Sequence, residues 1–269
     1  MSRLGSQLLA SILVNAIYEM RNYPVVLFIT VLSPLSFLTL ILFVSGGTLL
    51  GVGIVGGLIM TIFSAGTSLQ TDLSHLKNDF KLQDMVVGSP TSASVYVAGM
   101  AISELIYSSP ALAILGVLFA LFVHVEIAMV LGIVIVMLLM FLMSISLGFA
   151  LATLSSDIVQ SFAFTRLISL LFTTLAPVYY PITYIPLPWR YLAYLSPTTY
   201  AAQIGHNLIG FLDVPTDLLM IDWAVLLSLT ALFLWIGMKR PDGGRNEPRP
   251  ARRSSADIMI HHQKQIFRV

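Results

Sequence analysis

Long apolar runs alternate along the chain with short polar breaks. Apolar residues fill about 25–45, 49–69, 95–123, 127–154, 158–178 and 222–238 with few interruptions. Each run approaches or exceeds the ~20 residues that cross a hydrocarbon core as helix. The breaks are brief: "SGGT" (45–48), "HVE" (124–126) and "SSD" (155–157). The runs do not alternate polar and apolar residues, as the strands of a membrane β-barrel would. The pattern predicts an all-α membrane protein with six transmembrane helices. Pro24 opens the first run, where proline suits a first helical turn. Pro34 falls inside that run and predicts a kink. In the second run Gly53 and Gly57 form a small-xxx-small pair, joined by Gly51, Gly56 and Gly66. Small residues let helices approach closely in lipid, so close packing is their expected role, ahead of ligand contact.

Three segments depart from this rhythm. In residues 4–22, Gln7, Ser11, Asn15, Glu19 and Asn22 recur at three- or four-residue steps and form one polar stripe. Leu8, Leu9, Ile12, Leu13, Ala16, Ile17 and Met20 fill the other sides. This predicts an N-terminal interfacial amphipathic helix; a first spanning helix with its polar face toward the bundle would carry the same stripe. The second segment, "SHLKNDFKLQDMVVGSP" (74–90), is a charged island. Asp72 as N-cap, with Gly88 and Pro90 as stops, predicts a short helix. Its apolar knob of Phe80, Leu82 and Met85 suits a groove on another protein; a solvated loop accounts for the same residues equally well. The third segment, 177–210, holds six of the ten tyrosines and Trp189. Pro181, Pro186, Pro188 and Pro197 forbid one continuous helix. The segment is too apolar for a free loop and is predicted to dip into the outer leaflet as a re-entrant piece. Non-helical backbone at that depth must be shielded or line a wet cavity. An outer gate and a plain aromatic belt both fit.

Composition and charge sharpen this picture. Of the 269 residues 57% are hydrophobic and 10% charged, with mean hydropathy +0.89. A soluble domain carries about a quarter charged residues, so this chain could not clothe a soluble surface. With no cysteine, disulfides, thiolate metal sites and cysteine nucleophiles are excluded. Six spans put both termini on one side. That side would hold Arg3, Arg21, Lys77, Lys81 and the eight Lys/Arg of 239–269, against Arg190 on the other. Positive charge marks the cytoplasmic side, so both termini and the island are expected in the cytoplasm. The tail, 239–269, is expected to be disordered; its Arg245, Arg249, Arg252 and Arg253 could touch anionic headgroups of membrane lipids or simply be solvated.

Candidate chemistry is sparse. Glu104 and Arg166 are the ionisable residues well inside runs, each roughly 12–14 Å from the predicted cytoplasmic end of its helix. Matching depth permits an ion pair; snorkelling to the inner interface is the alternative. No G-x-x-x-x-G-K-[ST] phosphate loop occurs, so ATP is not bound by that motif. No nucleophile–base–acid set stands out, and His124, Glu126, His206, His261 and His262 form no metal set. Nothing beyond the basic tail supports nucleic-acid binding.

Two stretches carry a resemblance. "LQDMVVGSPTSASVYVAG" looks like a coupling helix followed by a small-Pro-Ser/Thr entry to a third span. In "YPITYIPLPWRYLAYLSPTTYAAQIGH", residues Pro181, Pro186, Pro188, Trp189, Leu192, Ala193, Leu195, Pro197, Thr199 and Tyr200 match a "P…lP.w…la.l.P.ty" region. With the six-span plan, residues 4–238 resemble the permease subunits of type-2 ATP-binding-cassette exporters. The resemblance implies a cytoplasmic coupling helix between spans two and three. It implies pairing with a second permease copy, identical or related, above two separate cytoplasmic ATPase subunits. ATP and Mg2+ would bind in the partner ATPase, and this chain would be a transport subunit, not an enzyme. Substrate would leave the cytoplasm by alternating access. On this resemblance Asp79, Phe80, Gln83, Asp84 and Met85 dock the ATPase, while Phe164, Pro177, Tyr179, Tyr180 and Tyr184 line or gate the pathway. The implied location is the plasma membrane, multi-pass, in a prokaryotic cell. The rival reading is an ATP-independent channel or secondary carrier, which would favour more ionisable residues within the spans. An intramembrane enzyme would need a catalytic constellation.

Overall fold

The computed structural model describes residues 3–78, 93–154 and 157–239, and every regular element among them is helical. α1 (Arg3–Ile12) continues through a π-helical stretch (Leu13–Tyr18) into α2 (Glu19–Asn22). α3 (Pro24–Ser45) starts on its proline and runs through Pro34 unbroken; Gly46, at φ 60°, ends it with its N–H on Leu42 O. A left-handed residue at that position suits glycine, which has no Cβ to clash. There follow α4 (Leu50–Asn78), α5 (Ala93–Phe122), α6 (Ile127–Leu154) and α7 (Ile158–Thr174). Asp157 caps α7, accepting from Gln160 N–H at 2.7 Å. The proline-rich stretch then holds a 3-10 turn (Ile182–Tyr184) and the one-turn α8 (Arg190–Ala193). α9 (Pro197–Leu208) and α10 (Thr216–Lys239) complete the fold.

Five helices are long and apolar enough to span a membrane: α3 over Leu27–Ser45, α4 over Leu50–Leu73, α5 over Val97–Phe122, α6 over Ile127–Ala152 and α10 over Thr216–Ile236. α7 has 17 residues, about 25 Å of helix against a hydrocarbon core of about 30 Å. The apolar run there reaches 178, but its helix stops at Thr174, short of Pro177, which disfavours helix in the residue before it.

α4 is the centre. It packs on α3, α5, α6, α7 and α9, and 83% of its apolar window is buried against 11% for α3. Phe63, Ile54 and Ile59 of α4 meet Leu115, Met140, Met143, Ile204 and Leu226 in one fully buried core. The outer ring shows the reverse. α3 exposes Phe28, Ile29, Phe43 and Val44, and α6 exposes Leu131, Val134, Ile135 and Leu138. Leaving such a side chain in water costs about 1.5–3 kcal/mol; hydrocarbon removes that cost. Such a ring suits hydrocarbon or another membrane-embedded chain better than water.

Several boundaries differ from the sequence reading. α4 runs to Asn78 instead of stopping near 69, so Asp72 lies within it and caps no separate helix. α10 begins at Thr216, placing Asp222 inside a span and not at its edge. The island residues Asp79, Phe80, Gln83, Asp84 and Met85 lie outside the described residues, as does the tail from 240 onward. Of the polar stripe on the first helix, Ser11 is buried against Gly99 of α5, Gln7 and Asn15 are half-buried and Asn22 is exposed, while Leu9, Leu13, Val14, Ile17 and Tyr18 are exposed.

Candidate functional site

Two seams on α4 gather the unusual residues of the chain. The first lies toward its Leu50 end. There the stretch after α7 presses its backbone onto Gly56: a Cβ at that position would collide with the Val178 carbonyl and come within 3.2 Å of Tyr179 Cα. Only glycine lets two backbones come so close. Tyr179 stacks on Phe37 of α3, ring centroids 5.0 Å apart, and burial pushes its phenol above the ordinary range. Pro177, Val178 and Pro181 are buried beside it. α9 closes the seam from the other side, with Gly205 so near α4 that a Cβ would lie 2.6 Å from Val55. The next residue, His206, is 1% exposed and its Nε2–H donates to Val178 O at 3.2 Å. Burial pushes its imidazole down to about 4, and the Val178 and Val52 carbonyls oppose that shift only in part. The ring is therefore neutral at neutral pH.

The second seam lies toward the Asn78 end. Gly66 meets Ser144 of α6, whose Cβ would be 2.7 Å from an added Cβ, and a Cβ at Gly148 would be 2.9 Å from Gly66 O. One turn on from Gly66, Gln70 is fully buried. Its Nε2 donates to Ser161 O at 3.0 Å and its Oε1 accepts from Thr165 Oγ1 at 2.9 Å. Thus close glycine contacts join α4 to α6, and a satisfied amide joins α4 to α7. A buried amide left without such partners would lose about 1–3 kcal/mol per group.

The family model for the ABC-2 type transporter matches residues 6–207, which spans both seams and the proline-rich stretch. The chain belongs to the ABC-2 type transporter family. Comparison with curated proteins finds no significant match. As an ABC-2 membrane domain the chain is a multi-pass membrane transport permease, not a catalytic ATPase.

The ABC-2 permease places its sequence-predicted residues unevenly. Pro177 and Tyr179 sit buried beside α4, and Tyr180 is half-buried with its phenol pushed up by burial. Tyr184 is 63% exposed on the 3-10 turn, and Phe164 is half-buried on α7. Glu104 is half-buried on α5 and Arg166 exposed on α7. These two helices each pack on α4 and are not among one another's principal neighbours. Among the described residues no group of three His, Asp or Glu could hold a metal.

Gln70 and Asp222 were not singled out by the sequence reading, and His206 was named there only as lacking companion ligands. Gln70 and Asp222 sit at the edges of their apolar runs and read as span ends. His206 has no companion in sequence, because its partners are backbone carbonyls of other segments. Ser144 and Gly148 did carry a signal: they are a second small-xxx-small pair, one that faces Gly66.

Proposed function

We propose that this permease is the membrane subunit of an ATP-driven exporter, moving substrate out of the cytoplasm by alternating access. The observation that carries the reading is the family match across residues 6–207, in a chain with no phosphate loop of its own. Power then comes from separate cytoplasmic ABC ATPase subunits that bind ATP and Mg2+. In this reading α7 with the residues after it forms the fifth of six spans, α10 is the sixth, and the N- and C-termini face the cytoplasm of a prokaryotic cell. The charged island, 74–90, serves as the ATPase-coupling segment, with Asp79, Phe80, Gln83, Asp84 and Met85 as its docking residues. A second copy or a related permease completes the pathway. Pro177, Tyr179 and Tyr180, in the re-entrant outer segment over the Leu50 end of α4, serve as its outer gate. Glu104 and Arg166 contribute charge near the inner end.

The test is co-purification. Native extraction should recover a P-loop ATPase with the permease, and Phe80→Asp with Asp84→Lys should cut that recovery at least tenfold and abolish ATP-dependent transport. Recovery of the permease always alone, with transport indifferent to both substitutions, would favour the ATP-independent channel or carrier. Unchanged transport and assembly in Glu104→Gln and in Arg166→Ala would remove these two residues from the mechanism.

A further inference from the structure

On the six-span reading, on which this inference rests, α7 crosses the membrane against its own composition. It has 17 residues, about 25 Å of helix against a hydrocarbon core of about 30 Å. Gln160, Ser161, Thr165, Arg166 and Ser169 interrupt its apolar run; α6, by contrast, carries no charge in 28 residues. α7 packs chiefly on α4, and its Val159, Phe162, Leu167, Leu170 and Leu171 stay exposed. Its hold on α4 has two points. Toward its end, the Phe172 ring leans on Phe63 with centroids 5.4 Å apart. About three turns earlier, Ser161 and Thr165 lie four residues apart on one face, and both meet Gln70. Gln70 Nε2 donates to Ser161 O at 3.0 Å and to Ser161 Oγ at 3.3 Å, and Gln70 Oε1 accepts from Thr165 Oγ1 at 2.9 Å. Ser161 Oγ in turn reaches Gln70 O at 3.5 Å. Gln70 and Ser161 are both 0% exposed. Apolar contact draws helices together weakly in lipid, whose tails are as apolar as leucine; bonds between polar side chains add the attraction.

We propose that Gln70 is a positioning residue for α7: its amide clasps Ser161 and Thr165 and holds in the membrane a helix too short and too polar to cross well alone. The need is mutual. An amide left unpaired in hydrocarbon is costly, and only a helix with polar groups at this spacing relieves both of its ends. The order of the chain fits, since α4 precedes α7 and its amide is in place when α7 arrives. The clasp also fixes α7 lengthwise. Ser161 and Thr165 bracket Gln70, so a slip of one turn would leave one end of the amide without a partner. α7 leads directly to Val178 and Tyr179, which press on Gly56, so its depth sets the height at which that contact forms.

The chain has no cysteine, so single cysteines report which side of the membrane each end of α7 occupies. Ser156→Cys stands just before the Asp157 cap, and Thr183→Cys is exposed beyond the helix. Each is placed in the full chain and treated with a membrane-impermeant sulfonated maleimide, on intact cells and after permeabilisation. In the parent the two positions label from opposite sides. Leu167→Ser and Leu170→Ser, on the exposed face of α7, then bring wrongly sided chains into measurable range. In that background Gln70→Leu lowers the ratio of correctly to wrongly sided chains about fivefold. Thr165→Val supplies a test of sign. It makes α7 more apolar, so hydropathy alone requires fewer wrongly sided chains; the clasp requires more, because Gln70 Oε1 loses its donor. Should Gln70→Leu fail to accumulate, Thr165→Val carries the test. Both positions labelling from one side in the parent overturns the six-span reading and the proposal with it. Opposite sides in the parent, with the ratio unmoved by Gln70→Leu or not lowered by Thr165→Val, overturns the clasp alone. So does an absence of wrongly sided chains in every variant, since α7 then crosses unaided.

Discussion

The two ends of α4 are packed with the same residue and held by different forces. At the Leu50 end, Gly56 faces the backbone of another segment, and the nearest atoms are the Val178 carbonyl and Tyr179 Cα. At the Asn78 end, Gly66 faces the Ser144 side chain first, with Ile145 N also 2.8 Å from an added Cβ, and Gln70 adds hydrogen bonds to α7. A side chain can turn aside or be shortened; a carbonyl in a packed backbone cannot. The first end is therefore a rigid steric lock. The second is a mixed seam, in which the Ser144 side chain is adjustable while Ile145 N is not.

This contrast can be broken from the rigid end first. Gly56→Ala should destabilise the permease by about 3 kcal/mol, at the upper part of the range for overpacking, with a matching fall in melting temperature in detergent. No side-chain substitution opposite it should restore the loss. If Gly56→Ala melts like the parent, the lock is not rigid.

His206 gives the same end a pH dependence. Its imidazole is held near 4 when folded against an ordinary value of 6.5. The unfolded chain thus binds the proton first, and stability present above pH 6.5 is lost as pH falls toward 4. At pH 5 the loss amounts to about 2 kcal/mol. His206→Gln keeps a donor for Val178 O and should flatten the melting profile between pH 6.5 and 5; an equally steep profile in the variant would assign the dependence to other groups.

At the adjustable end, Gly66→Ala should cost about 2 kcal/mol, and Ser144→Gly in the same chain should recover part of it in a double-mutant cycle, the remainder being the clash with Ile145 N. Failure of that rescue would make both ends alike. Gln70→Leu should cost about 1 kcal/mol, since it removes bonds to Ser161 and Thr165 but leaves Thr165 Oγ1 its second acceptor, Ser161 O. Thermal melting would read this smallest change, and a loss as large as that of Gly56→Ala would contradict the ranking.

The spans were legible because a long apolar run has few other uses. The prediction for α3, 25–45, meets the helix Pro24–Ser45, and 95–123 meets Ala93–Phe122. The five glycines of the second run were also legible as packing residues. Their partners were not: Gly53 faces α3, Gly57 faces Leu115 of α5, and Gly56 faces a non-helical backbone. Which neighbour a glycine meets is decided by helix rotation and order, and a single sequence does not encode these locally. Helix ends were misjudged where polar residues continue a helix, as from Gln70 to Asn78. Hydropathy registers the cost of a polar side chain in lipid and ignores that a protein neighbour can remove it. The same blind spot hid Asp222. The interior of the proline-rich stretch was half legible: its broken backbone followed from four prolines, whereas the burial of Tyr179 and the exposure of Tyr184 depend on where α4 runs.

The contact between α1 and α5 has a mechanical meaning of its own. Ser11 sits so close to Gly99 that a methyl added there would lie 2.6 Å from Ser11 Oγ. The residues flanking Gly99 all carry a Cβ, so Ser11 is a tooth in the one notch of that α5 surface. Sliding α1 lengthwise would carry the tooth toward Val95 or Ser103, one turn away on the same face of α5. Like a pawl on a ratchet, the N-terminal helix can lift away from α5 or travel with it, but it cannot slip along it. Any force applied to one of these two helices is therefore delivered to the other without lost motion.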